Sequence, residues 1–192
     1  MNETILISLL LIFIYIFLFI NRNNIIYIKS KSGNNFLVHK DLNKKDKAEL
    51  LEKVVENMFF LKNHLVKNID SYPEYKKYIK QLDNNFTKSR TVIYETDPQS
   101  NLTSYSVNKG EELSICLKSK KTGKLHDVNL LMYVVIHEMA HFGCPEIGHG
   151  DLFKKIFKMF IIEAIKLGVY KKENYNSNPV EYCGMVLSSS IV

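Results

Sequence analysis

Two histidines four residues apart, His137 and His141, enclose Glu138 in the stretch His137-Glu138-Met139-Ala140-His141 of this 192-residue chain. On a helix that spacing is one turn, so both imidazoles leave the same face and can reach a single zinc ion about 2.0–2.1 Å away. Glu138 directly follows the first ligand and can reach the open side of such an ion, where it would take a proton from a bound water. With only 6 His in the chain, roughly 0.01 matches to this pattern are expected by chance. The neighbours Val134, Val135, Ile136, Met139 and Ala140 predict a buried setting. Three ionisable groups without partners would each cost some kcal/mol there, a penalty that a metal removes.

A third ligand must come from elsewhere, and Cys144, Glu146, His149, Asp151 and Glu163 all follow the pair. Two are serious candidates. Glu163 lies on the next helix, an arrangement that resembles the gluzincins, in which a glutamate from a second helix completes the site. His149 lies in Gly148-His149-Gly150-Asp151-Leu152-Phe153, where a glycine-bracketed turn can fold the chain back toward the metal. His149 is the preferred reading. The compact metzincin spacing is not met, because Gly143 comes one residue early and His149 two residues late. Cys144, three residues beyond His141, could approach the ion and poison or regulate it when ionised.

The elements that must position these residues follow from periodicity. Asp127 can cap a helix over 128–142 that is apolar nearly all round and therefore buried, and it carries the motif. A second apolar helix runs from about 151 to 167, stopped by Gly168. Upstream, Leu51, Val54, Val55, Met58, Phe59, Leu61, Leu65 and Ile69 recur at helical spacing, and Pro73 sits near the start of another helix. Short apolar runs at 25–30 and 36–40 read as a hairpin about Gly33. The runs 103–107 and 112–118 read as a second hairpin about Asn108-Lys109-Gly110, with a short strand at 91–94 and one last strand in the tail after Pro179. The strand 112–118 precedes the metal helix, so its free edge could hold an extended substrate. Tyr182 and Cys183 read as core, with an oxyanion donor or a redox-sensitive thiol as the functional alternatives. His39 and His64 stand alone and read as structural or exposed.

The first 20 residues contain an apolar run broken only by Ser8 and followed by Arg22, Lys29, Lys31, Lys40, Lys44, Lys45 and Lys47. This predicts an uncleaved single-pass transmembrane anchor over 1–22, with the body at 23–192 on the cytoplasmic side. The three cysteines are an odd number at unrelated spacings, so a disulfide framework is not expected and a reducing compartment fits better. The net charge of +6 favours anionic partners, but no basic-aromatic cluster singles out nucleic acid. Nothing in the sequence fixes an oligomeric state.

HEMAH followed by GHGDLF resembles the WLM and SprT-like zinc metallopeptidases, in which a third histidine follows the pair in a GHGxxF-like segment; they include proteases that degrade proteins crosslinked to DNA. SYSVNKGEELSICLK, LHDVNLLMYVVIHEMAH, GHGDLFKKIFKMFIIEAIKLGVY and PVEYCGM are similar to small uncharacterised predicted metallopeptidases of large DNA viruses. The resemblance implies His137, His141 and His149 as ligands of one Zn2+ and Glu138 as catalytic. The expected fold is α+β, a minimal zincin-like domain with helices on a small, mostly antiparallel sheet. The expected function is a membrane-anchored peptidase acting on protein or peptide. The rivals are a membrane-tethered structural protein with a fold-stabilising zinc site, and a protease acting on DNA-linked proteins.

Overall fold

The computed structural model describes residues 3–22 and 24–192. Helix α1 (Glu3–Arg22) is followed by β1 (Ile25–Lys29), β2 (Asn35–His39), α2 (Lys44–Lys67), two single-turn 3-10 helices and α3 (Lys76–Asn85). Next come β3 (Val92–Glu95), β4 (Tyr105–Val107), β5 (Glu112–Ile115), α4 (Val128–Gly143), α5 (Asp151–Lys166), β6 (Val180–Tyr182) and β7 (Met185–Leu187).

The α+β class holds, but the sheet is mixed rather than mostly antiparallel. Its order is β1-β2-β3-β5-β4, with β1–β2 and β4–β5 antiparallel and β2–β3 and β3–β5 parallel. The cause is the connection between β2 and β3. It carries α2 and α3, long enough for a crossover, and a crossover returns the chain parallel to the strand it left. β5 is therefore an interior strand between β3 and β4, and the free edge expected of it belongs to β4. The tail forms two strands instead of one. Cys183 and Gly184 both take positive φ, 51° and 89°, the requirement of a tight two-residue turn that pairs Tyr182 with Met185.

Helix α4 runs through the core with Leu131, Val135, Ile136, Met139, Ala140 and Phe142 fully buried, and it packs on α2, α3 and α5. Each such aliphatic side chain contributes about 1.5–3 kcal/mol by burial. Its start is fixed as expected, the Asp127 carboxylate accepting the Leu130 N–H at 2.9 Å. At its other end Gly143 lies so close to α3 that an added Cβ would meet the Tyr78 carbonyl oxygen at 2.9 Å. The Asn85 side chain donates to the Phe142 carbonyl at 2.8 Å. Both contacts hold the motif-bearing end of α4 against α3.

On α2, Lys47, fully buried, lies 2.8 Å from Asp41 Oδ2 and 2.7 Å from Glu95 Oε1. Glu95 also accepts the His39 N–H at 2.7 Å, and Lys118 reaches Asp41 at 3.0 Å. Partial burial raises the Asp41 carboxyl, but hydrogen bonds from Lys47 and Lys118 outweigh it and hold the group below the usual range.

Two expectations are corrected. Among the described residues no helix is long and apolar enough to cross a membrane. In α1 the described side chains, those of residues 5–15, are all exposed. The transmembrane anchor and the single-pass, cytoplasmic-side placement deduced from it are withdrawn; Met1, Asn2 and Asn23 lie outside the described residues. Nor are all three thiols free: Cys116 and Cys183 form a disulfide across 67 positions, their Cα atoms 6.1 Å apart. Spacing gave no sign of this, since the fold alone brings β5 and the β6–β7 turn together.

Candidate metal centre

Helix α4 supplies three neighbouring groups at 137, 138 and 141, and the loop to α5 supplies the fourth. Gly148 takes φ +84°, a conformation that L side chains rarely adopt, and so turns His149 back toward α4. The loop is tied down by Lys109 in the β4–β5 turn, whose Nζ donates to the carbonyl of Cys144 and, at 3.2 Å, to that of Glu146. The last carbonyls of a helix lack intrahelical partners, so a lysine there is well placed.

The three imidazoles converge through the same atom. His137 Nε2, His141 Nε2 and His149 Nε2 lie 3.0, 3.1 and 3.2 Å from one another. A triangle of that size has its corners about 1.8 Å from its centre, so one ion slightly off the plane can sit 2.0–2.1 Å from all three nitrogens. The three nitrogens lie within hydrogen-bond reach of one another, and a single cation among them would give all three a partner at once. This is the one group among the described residues whose donors could hold a metal, and it contains three ligands, not four.

The ligand expectations separate cleanly. His149 joins the pair and Glu163 does not: it accepts from Tyr72 at 2.7 Å and from Lys166 at 2.6 Å, with His64 Nε2 at 3.6 Å. Burial raises the Glu163 carboxyl, yet the hydrogen bonds from Lys166 and Tyr72 bring it below the usual range. Cys144 is buried and free, but it is outside the converging group, as are Glu146 and Asp151.

Burial sets the protonation states. Desolvation, reinforced by the other two histidines, drops His137 to about 3. Desolvation with His149 and Lys109 drops His141 to about 4. Both rings are therefore neutral at pH 7, the form that binds a metal. Glu138, 7% exposed, is pushed up to about 7 by the same desolvation, against a hydrogen bond from Ser106 Oγ to its Oε2 at 2.9 Å. A carboxylate that gains and loses a proton near neutrality is suited to general acid–base work.

Residues without a sequence signal complete the site. Phe153 stacks on His141 with ring centroids 4.2 Å apart and sets its edge against His137 and His149 at 4.9 Å each, forming an apolar floor. Its place one turn after His149 was visible; its contact with all three rings was not. Ser106 had no signal either, since the contact of β4 with α4 is made only by the tertiary fold. Above the ligands opens a cleft of about 780 Å³ between β4, α4, the 146–149 loop and the β6–β7 hairpin. Tyr182 lines it, largely buried, its hydroxyl 2.5 Å from Ser104 Oγ.

No family model matches the chain. An uncharacterised protein of Acanthamoeba polyphaga mimivirus is 42% identical over 167 residues, 86% of this chain and 84% of that protein. An uncharacterised protein of Invertebrate iridescent virus 6 is 37% identical over 84 residues, 43% of this chain and 47% of its own length. Among solved structures, the crystal structure of Wss1 from Saccharomyces cerevisiae aligns with a TM-score of 0.38 at 16% identity, covering 48% of this chain and 72% of that one. A likeness at that level leaves the reading to the site itself. The chain belongs to the family of the mimivirus protein.

Proposed function

We propose that this member of the viral family is a zinc-dependent hydrolase of peptide bonds. The observation that carries the reading is the meeting of three imidazole nitrogens with a buried carboxyl whose pKa is pushed up to about 7, all opening on one cleft. His137, His141 and His149 would hold the metal. When bound there, zinc supplies Lewis acidity and lowers the pKa of a coordinated water.

The rest is the work of the chain. Glu138, next to the first ligand, takes the proton of the attacking water and delivers it to the leaving amine. Ser106 holds Glu138 Oε2 and so leaves the other carboxylate oxygen for that transfer. Phe153 and the buried face of α4 exclude water from behind the imidazoles. β4, at the edge of the sheet and along the cleft, offers backbone groups for an extended peptide to pair with, the role first expected of the strand 112–118. A fold-stabilising zinc site would close with a fourth protein ligand. The three-donor group and the adjoining cleft support an open position instead.

The test is zinc content and casein cleavage of the full chain beside two variants. Glu138→Gln is expected to keep zinc and lose at least a hundredfold in cleavage, the scale of a general base. His149→Ala is expected to lose both. Cleavage that survives Glu138→Gln defeats the mechanism.

A further inference from the structure

The two ends of the cleft differ in chemistry. At one end lie Asn108, Lys109 and Glu146; at the other, Tyr133 and Val134 of α4 face Tyr182, Met185 and Leu187 of the β6–β7 hairpin. On α4, positions 133, 134, 137, 138 and 141 form one stripe, so Tyr133 and Val134 sit one turn before His137 and Glu138, about 6 Å along the axis. On β7, Met185 and Leu187 are two apart and share a face of the strand.

Both tyrosines present apolar surface only. The Tyr133 hydroxyl is engaged with the Ser189 carbonyl at 3.2 Å, and that of Tyr182 with Ser104 Oγ at 2.5 Å. Met185 stands 48% exposed at the rim, an adaptable side chain that can fit itself to an apolar group. A polar side chain entering this end would give up water and meet no free partner from these residues. An aliphatic or aromatic one would be enclosed by two rings and three aliphatic groups.

We propose that this end is a specificity pocket for a bulky apolar side chain of an extended peptide, placed within two residues of the bond to be cut. The distance sets the placement: about 6 Å is two steps of extended chain at roughly 3.3 Å each. The proposal rests on the hydrolase reading and names the substrate class for the same cleft.

Decapeptides identical except for one central residue decide it, with Leu, Phe or Met compared against Gly, Asp or Lys, on the zinc-loaded full chain. Cleavage points mapped by mass spectrometry are expected within two residues of the apolar position, with kcat/KM roughly tenfold to a hundredfold higher than for the polar series. Met185→Glu, at an exposed position, is expected to erase that preference and favour the Lys peptide. Binding of the same peptides to Glu138→Gln, followed by fluorescence anisotropy, reads recognition without turnover. Cleavage with no apolar preference overturns the pocket and leaves the hydrolase standing. Apolar preference in binding with no cleavage by the unaltered chain upholds the pocket and overturns the hydrolase. Absence of preference in both measurements overturns the pocket outright.

Discussion

Around Lys47 each charge meets its opposite: one ammonium between the carboxylates of Asp41 and Glu95, with Lys118 on the same Asp41 oxygen, Oδ2. Around His137 three like groups meet, imidazoles 3.0–3.2 Å apart, with the carboxyl of Glu138 on the same helix. Both clusters contain buried titratable groups, Lys47 and Glu95 in one and Glu138 in the other, so burial alone does not mark a functional site. What distinguishes them is whether the side chains complete one another. In the Lys47 cluster opposite charges stand paired within the chain, whereas the three histidines present like nitrogens that a single cation would bring together.

The sharpest way to break that contrast is to exchange the rival ligands. His149→Ala is expected to weaken zinc binding on the order of a thousandfold, about a third of the free energy of a structural zinc site. Glu163→Gln, whose carboxylate is spent on Tyr72 and Lys166, should leave it unchanged; competition with a chromogenic chelator reads both. Equal losses would mean that Glu163 also reaches the ion.

Next in size is the Lys47 cluster. Glu95→Ala leaves a fully buried Lys47 with Asp41 alone, and removing one partner of a buried pair costs about 3–5 kcal/mol. Denaturant unfolding should show that loss with the zinc content of the folded protein unaltered. A change of zinc stoichiometry would join the two regions that the structure keeps apart.

The smallest effect concerns His126, buried outside both clusters. Desolvation lowers its pKa from 6.5, against weaker pulls from Glu181 and Asp127, and its Nε2 accepts the Cys183 N–H at 3.3 Å. The unfolded chain takes up this proton near 6.5 and the folded protein only at lower pH. Stability from the neutral ring is therefore present above pH 6.5 and is lost as pH falls through the folded value. Melting temperatures between pH 7.5 and 5 should fall more steeply for the unaltered chain than for His126→Gln. Parallel curves would remove His126 from the account.

Local chemistry carried much of this into the sequence. The apolar helix over 128–142, its Asp127 cap, the turn at 108–110 and the return of His149 between two glycines all follow from rules that act within a few residues, and each is found in place. Features that depend on distant segments meeting were not legible. The parallel pairing of β3, the interior position of β5, the Cys116–Cys183 bond and the contacts of Ser106 and Phe153 belong to that class. Tyr182 was read as core and is buried, yet it also forms part of the cleft wall, because a residue can face both ways at a surface that two hairpins share.

The β6–β7 wall of the cleft is held by a bond between Cys116, made before the three histidines, and Cys183, made after them. Synthesis runs from the N-terminus, so His137, His141 and His149 leave the ribosome while Tyr182, Met185 and Leu187 have still to be translated. The wall beside the histidines is thus the last part of the cleft to be made, and one covalent bond ties it to a segment completed before α4.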